Sequence, residues 1–233
     1  MNRDIVYILK DAEGTDELRY SLRSIEQNFP HRFVWFVAGC PKGYKPDRFL
    51  KHVQIGATKW ERIRFSMLEV IKQPELSDEF YLFNDDFYVM KPFEGEFINY
   101  VDRTLADRVN DFRLENNMNR YAYTLLAAHT ELTSQGYSDM NFDVHMPMLF
   151  EKAKVEEAIT KCSSPQMRSI YGNVTGCEYI QHRDVKVHST DDVPTDADFL
   201  STSNKSFIYG QIGAYLRQTF DKRSKYERDG QEA

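Results

Sequence analysis

Asp4-Ile-Val-Tyr-Ile-Leu9, then Asp16 to Asn28 with Leu18, Leu22 and Ile25 at helical spacing, then Phe33-Val-Trp-Phe-Val-Ala38: this stretch decides the fold. The two outer runs are short, rich in β-branched residues and, after Asp4, apolar, as strands buried on both faces are. Between them Thr15 or Asp16 supplies a helix N-cap, and Asn28-Phe29-Pro30 supplies the stop. Strand, helix, strand in so short a span is the signature of a right-handed parallel unit.

Outward from that unit, Pro41 to Pro46 reads as a loop, 59–72 as an amphipathic helix and 79–83 as a third apolar strand. Phe87-Tyr88-Val89-Met90 reads as that strand resuming after an interruption. Further on, 98–108 and 150–162 read as helices, 183–188 as an edge strand, Asp191 to Asn204 as a polar loop, 207–220 as a last helix and 221–233 as a frayed charged tail. Alternating elements at the front argue for an α/β sandwich.

Composition narrows the class. With 41% hydrophobic and 28% charged residues the chain is too apolar to be disordered. No apolar run approaches the ~18 residues that would span a bilayer. The segment Met1 to Lys10 reads as a strand rather than a signal peptide. Cys40, Cys162 and Cys177 form no CxxC pair, which points to a reducing compartment and a cytoplasmic location. Net charge is −6 and the basic residues are dispersed, so no nucleic-acid footprint is supported, although a modified base in DNA stays open as an acceptor. Neither a Gly-rich phosphate loop nor a nucleophile elbow is present.

Asn84-Asp85-Asp86 is the most informative feature. It follows a strand too apolar for the surface, at the carboxyl end where open α/β sheets place ligands. Turn residues of the same kind would close a plain hairpin. The apolar flanks on both sides shift the weight toward a metal, because adjacent carboxylates driven toward a core repel each other unless a cation neutralises them. Hard oxygen ligands there suit Mg²⁺ or Mn²⁺.

Three blocks resemble the Stealth family of sugar-phosphate transferases: Asp4-Ile-Val-Tyr-Ile-Leu-Lys-Asp11, Glu17-Leu-Arg-Tyr-Ser-Leu-Arg-Ser-Ile25 and Phe80-Tyr-Leu-Phe-Asn-Asp-Asp-Phe-Tyr88. Asp143-Val-His-Met-Pro-Met148 is similar to its His-x-Pro segment, Arg168 to Asn173 to its arginine block, and Asp198 to Asn204 loosely to its final block. Where the family has Trp-Val-Asp-Gly, this chain has Leu9-Lys10-Asp11-Ala12. The resemblance implies a GT-A-like nucleotide-sugar-binding sandwich, a central mostly parallel sheet with helices on both faces. It also implies a nucleotide-sugar donor, typically a UDP-sugar, a divalent metal and a hydroxyl acceptor such as a glycan.

Residue by residue, the expected metal ligands are Asp85 and Asp86. Asp11, Arg19, Arg23 and Asn84 are expected at the donor, and His145, Arg168 and Asp86 at the chemistry. His145 is expected to be the general base, with Asp143 orienting its ring; Arg168 has no acidic neighbour in sequence and suits phosphate charge. His182 and His188 read as structural, and Arg19 and Arg23 would otherwise form a salt-bridged helix face. The whole of 1–233 is expected to be one catalytic domain, with a donor half at 1–100, an acceptor-side half at 101–220 and the tail. Two alternatives remain: a GT-A glycosyltransferase passing only the sugar, and a non-catalytic carbohydrate- or nucleotide-binding module.

Overall fold

The computed structural model describes residues 3–10 and 15–228; Asp11, expected at the donor, lies outside them. β1 (Asp4–Leu9), α1 (Asp16–Asn28) and β2 (Val34–Ala38) form the expected parallel unit, with Ile5 opposite Val34 and Leu9 opposite Ala38. Thr15 is the cap, its side chain accepting the Leu18 N–H. β3 (Arg48–Lys51) extends the sheet beyond β2, α2 (Lys59–Val70) crosses over, and β4 (Glu79–Phe83) pairs in parallel with the other side of β1.

β5 (Phe87–Val89) follows the acidic turn, then β6 (Asn99–Val101), α3 (Leu105–Leu114) and α4 (Arg120–Ser134). β7 (Met148–Glu151) returns antiparallel to β4, completing the order β3-β2-β1-β4-β7. The chain ends with α5 (Lys152–Lys161), α6 (Met167–Thr175), β8 (Tyr179–Gln181), β9 (Lys186–Val187), β10 (Phe199–Thr202), α7 (Asn204–Tyr209) and α8 (Gln211–Thr219). Alternate strand residues serve opposite faces. Ile5, Tyr7 and Phe36 pack under α1, while Val6, Trp35 and Val37 pack under α2, α5 and α6. The architecture is therefore mixed α/β, a mostly parallel sheet between helices. Among the described residues no helix is long and apolar enough to cross a membrane.

Several expectations need correction. Phe87–Val89 does not resume β4; it leaves the main sheet and pairs antiparallel with β10, in a small sheet ordered β5-β10-β9. The 191–204 stretch is not all loop, since its Phe199–Thr202 segment is a fully buried central strand. The 98–108 helix is β6 followed by the start of α3, because Thr104 caps the helix there. The 150–162 helix begins two residues later, after β7, and only Lys186–Val187 of the 183–188 strand pairs. The 207–220 helix is two, broken at Gly210, with Ser203 capping the first.

Candidate active site

The acidic turn lies where β4 ends, beside the end of β1. Asn84 is exposed, and Asp85 and Asp86 are half-buried. The Phe87 N–H donates to the Asn84 carbonyl at 3.3 Å and closes the turn. Asp86 Oδ2 takes Lys186 Nζ at 2.8 Å and accepts from Ser201 Oγ at 3.1 Å. Burial, then the neighbouring charge of Asp86, raises the Asp85 carboxyl above its ordinary value. Glu17 is a third carboxyl nearby, only 7% exposed, and its Oε1 accepts from Thr202 Oγ1 at 3.0 Å. Burial foremost, with Asp86 and Asp85 adding to it, pushes Glu17 up to about 7. A cavity of about 360 Å³ opens here, lined by Lys10, Thr15, Glu17, Asp85, Asp86 and Asn204 among others.

Among the described residues no three His, Cys, Asp or Glu converge on a point that could hold a metal ion. Asp85 and Asp86 do not make a protein-only cage. They fit the arrangement in which one or two carboxylates share a divalent ion with ligand phosphates. The raised Asp85 carboxyl agrees with such a role, since a cation would relieve the repulsion between the pair.

On the other side of the turn lies a cavity of about 500 Å³, which Asn84, His145, Arg168, Asp184 and Lys186 all help to line. Arg168 projects from the first turn of α6 and is 7% exposed. Its Nη1 donates to the Met146 carbonyl at 2.7 Å, and its Nη2 to Asn84 Oδ1 at 3.2 Å and the Leu82 carbonyl at 3.4 Å. Its guanidinium lies 5.3 Å from the Phe87 ring centre. Among the described residues it forms no ion pair, and burial lowers its pKa. A guanidinium held by neutral oxygens at a cavity wall is a ready seat for an anion.

His145 faces the same space, its ring edge-on to Phe87. Its Nδ1 lies 2.8 and 3.0 Å from the Asp184 carboxylate oxygens, and its backbone N–H donates to Asp184 at 3.2 Å. Burial works to raise the Asp184 carboxyl, but the His145 hydrogen bonds and charge carry it below its ordinary value. An ionised carboxylate only accepts, so Nδ1 carries the proton and Nε2 is left as the basic nitrogen. The expected orienting residue, Asp143, does something else: it accepts from Tyr121 Oη at 2.8 Å. Lys186 joins the two halves of the site, its N–H donating to Asp184 Oδ1 at 3.2 Å and its ammonium pairing with Asp86.

No family model and no curated protein matches the chain. Among solved structures it is similar to the galactosyltransferase LgtC in complex with donor and acceptor sugar analogs. The identity there is 8% over 97% of this chain and 98% of that one, with a TM-score of 0.49. Mouse xyloside xylosyltransferase 1 in its apo form shows 9% identity over 97% of this chain and 96% of that one, with a TM-score of 0.36.

The structure lines the larger cavity with Asn84, His145 and Arg168 and the smaller one with Asp85 and Asp86, Lys186 linking the two through Asp86, and the two arginines of α1 line neither. Arg23 forks onto Glu227 at 2.8 and 2.9 Å and also donates to the Phe220 and Asp221 carbonyls. Arg19 pairs with Asp16 at 3.2 Å and Glu227 at 3.7 Å. Arg23 is engaged by the C-terminal segment, and Arg19 by Asp16 and Glu227, as on a salt-bridged helix face. His188, expected to be structural, lines the larger cavity. Sequence reasoning missed Glu17, Asp184 and Lys186. Glu17 opens a helix, where an acidic residue is unremarked. The other two stand in Arg183-Asp184-Val185-Lys186, which reads as an alternating edge strand.

Proposed function

We propose that the chain is a nucleotide-sugar-dependent transferase with a GT-A-like core, moving a sugar 1-phosphate from a UDP-sugar to a hydroxyl acceptor such as a glycan. The observation that carries this reading is Arg168. A buried cation without a carboxylate partner costs several kcal/mol unless an anion completes it, and this one shares a cavity with an oriented His–Asp pair. The Stealth resemblance supplies the choice of sugar phosphate over sugar.

In this mechanism His145 Nε2 takes the proton of the acceptor hydroxyl as its oxygen bonds to the sugar-bearing phosphorus. The bond from that phosphorus to the bridging oxygen breaks, and UMP leaves. Arg168 donates to the phosphoryl oxygens as their charge changes, and Asn84 holds the guanidinium in place. Asp184 keeps the imidazole in the tautomer that can accept the proton. Asp85 and Asp86 would hold Mg²⁺ or Mn²⁺, which when bound neutralises diphosphate charge.

The nucleotide released on incubation with UDP-sugars and a divalent metal tests the reading. UMP supports it; UDP would mean transfer of the sugar alone. Arg168→Ala and His145→Asn are each expected to lower kcat by about 10²–10³-fold. Calorimetry with Mn²⁺ and UDP should show weaker binding to Asp85→Ala and Asp86→Ala. No turnover, with undiminished UDP binding in both variants, would mean a binding module instead.

A further inference from the structure

The larger cavity has a wall that the chemistry above leaves unused. Trp60, in the first turn of α2, is half-buried and belongs to none of the hydrophobic clusters among the described residues. Its ring lies 6.1 Å from that of Tyr121 at 22°, and Phe112 meets Tyr121 edge-on at 6.0 Å and 79°. All three line the cavity together with His145 and Arg168. Their placement is fixed. Thr58 and Glu61 form a capping box around Trp60, with the Glu61 N–H on Thr58 Oγ1 at 3.1 Å and the Thr58 N–H on Glu61 Oε2 at 2.7 Å. Tyr121 is tied to Asp143, two residues from the imidazole.

We infer that this wall is the acceptor subsite and that it takes a pyranose ring. The apolar face of the sugar lies on Trp60, and one of its hydroxyls reaches the Asp143 carboxylate. The assignment rests on the transferase reading, because the acceptor hydroxyl has to meet His145. Three observations choose a sugar over other flat or apolar ligands. A nucleobase edge needs a free donor–acceptor pair, and the amide beside Asp143, that of Asn141, is engaged through both its nitrogen and its oxygen. Asn141 donates to Asp102 at 2.8 Å while accepting the Asp143 N–H at 3.1 Å, and Gln166 Nε2 donates to Thr124 at 2.7 Å. A cationic ligand is opposed by Lys59 Nζ, 4.8 Å from the Trp60 ring centre, and by the Arg108 guanidinium, 5.3 Å from that of Phe112. A wholly apolar ligand would leave the Asp143 carboxylate without water. A ring with an apolar face and a polar rim satisfies all three, and aromatic side chains offer it a rigid, amphipathic platform. Lys59 is exposed, so a bound sugar displaces its ammonium from the ring at little cost.

The chain provides its own reporter. Its other tryptophan, Trp35, is 4% exposed in the core with Nε1 bonded to Asp4, so a saccharide can reach Trp60 alone. Maltose, cellobiose, lactose and chitobiose, each titrated into the full chain, are the probes, with UMP alongside. At least one saccharide should quench emission saturably, and Trp60→Phe should abolish the signal. By calorimetry the same saccharide should lose about tenfold or more in affinity to Trp60→Ala but no more than about threefold to Trp60→Phe, which keeps an aromatic face. The inference is overturned if no saccharide perturbs Trp60, if UMP does so instead, or if Trp60→Ala binds the saccharide as the parent does. Quenching by a saccharide in a parent that never turns over a UDP-sugar would sink the transferase reading and leave a carbohydrate site standing. Turnover without quenching would do the reverse.

Discussion

Glu17 and Asp184 are carboxylates displaced in opposite directions, and each carries a prediction. The folded pKa of Glu17, about 7, lies above its ordinary 4.5, chiefly through burial. Between those values the folded state binds more protons than the unfolded one, so stability falls as pH rises. The contribution is whole below the unfolded value and is lost as pH passes through the folded one. Denaturant midpoints should drop between about pH 5 and about pH 8 in the parent, and Glu17→Gln should remove up to about 3 kcal/mol of that fall. An equal drop in the variant would show that Glu17 is not the group responsible. Asp184 acts through His145, so Asp184→Asn should lower kcat by about 10²-fold while leaving the donor KM nearly unchanged. A variant with parental kcat would remove Asp184 as a positioning residue. Here the sequence pointed to the wrong carboxylate. Asp143 is two residues from His145, yet the partner is 39 residues away, and no local spacing encodes a contact of that range.

At the scale of elements, α6 has to approach the 141–148 segment closely for Arg168 to reach Asn84 and the Met146 carbonyl. Gly172 makes that approach possible: a Cβ there would lie 2.4 Å from Cε2 of the buried Phe142 ring. The Phe142 backbone is fixed by its N–H bond to Ser169 Oγ at 3.1 Å and its ring meets Tyr179 edge-on at 5.6 Å, so it has little room to retreat. Gly172→Ala should cost about 1–3 kcal/mol by overpacking and should lower kcat further than the loss of folded protein explains. A variant with parental melting temperature and kcat would refute this account of the glycine. The same elements show what patterning can reveal. β1, α1, β2 and β4 were legible because each buries a periodic or continuous apolar face on its neighbours. β10 was not, because Phe199-Leu200-Ser201-Thr202 carries only two apolar residues inside an acidic, Pro-containing stretch. It is buried because β5 and β9 flank it and because Ser201 and Thr202 spend their hydroxyls on Asp86 and Glu17. A strand whose polar side chains serve a site looks like a loop until the site is seen.

Across the whole molecule, the segment expected to fray is a clasp over its described part, residues 221–228. Tyr226 is 1% exposed, its Oη 2.7 Å from His31 Nε2, and its carbonyl accepts the Lys45 N–H at 2.7 Å. Arg228 donates its N–H to the Gly43 carbonyl at 2.8 Å, and Glu227 receives the Arg23 fork. A charge run normally signals solvated chain, and partners about two hundred residues away leave no mark on it. The clasp accounts for the arginines of α1: they tie residues 221–228 to the helix that carries Glu17 toward the acidic turn. Stability and site should therefore respond together. Ending the chain after Asp221 removes a buried aromatic, the Glu227 partner of Arg23 and the Tyr226 partners of His31 and Lys45, and should cost about 3–5 kcal/mol, as loss of a large core side chain does. Glu227→Ala removes the fork, the Arg19 pair and the bond from the Ser224 N–H but leaves Tyr226 in place, and should cost about 1–3 kcal/mol, in the range for a partly buried, hydrogen-bonded charge. Urea denaturation ranks the two. Hydrogen exchange then asks whether α1 is the element that loosens, with faster exchange expected across Asp16–Asn28 in the shortened chain than across α5. Equal protection of both helices would mean that the clasp guards only its own loop.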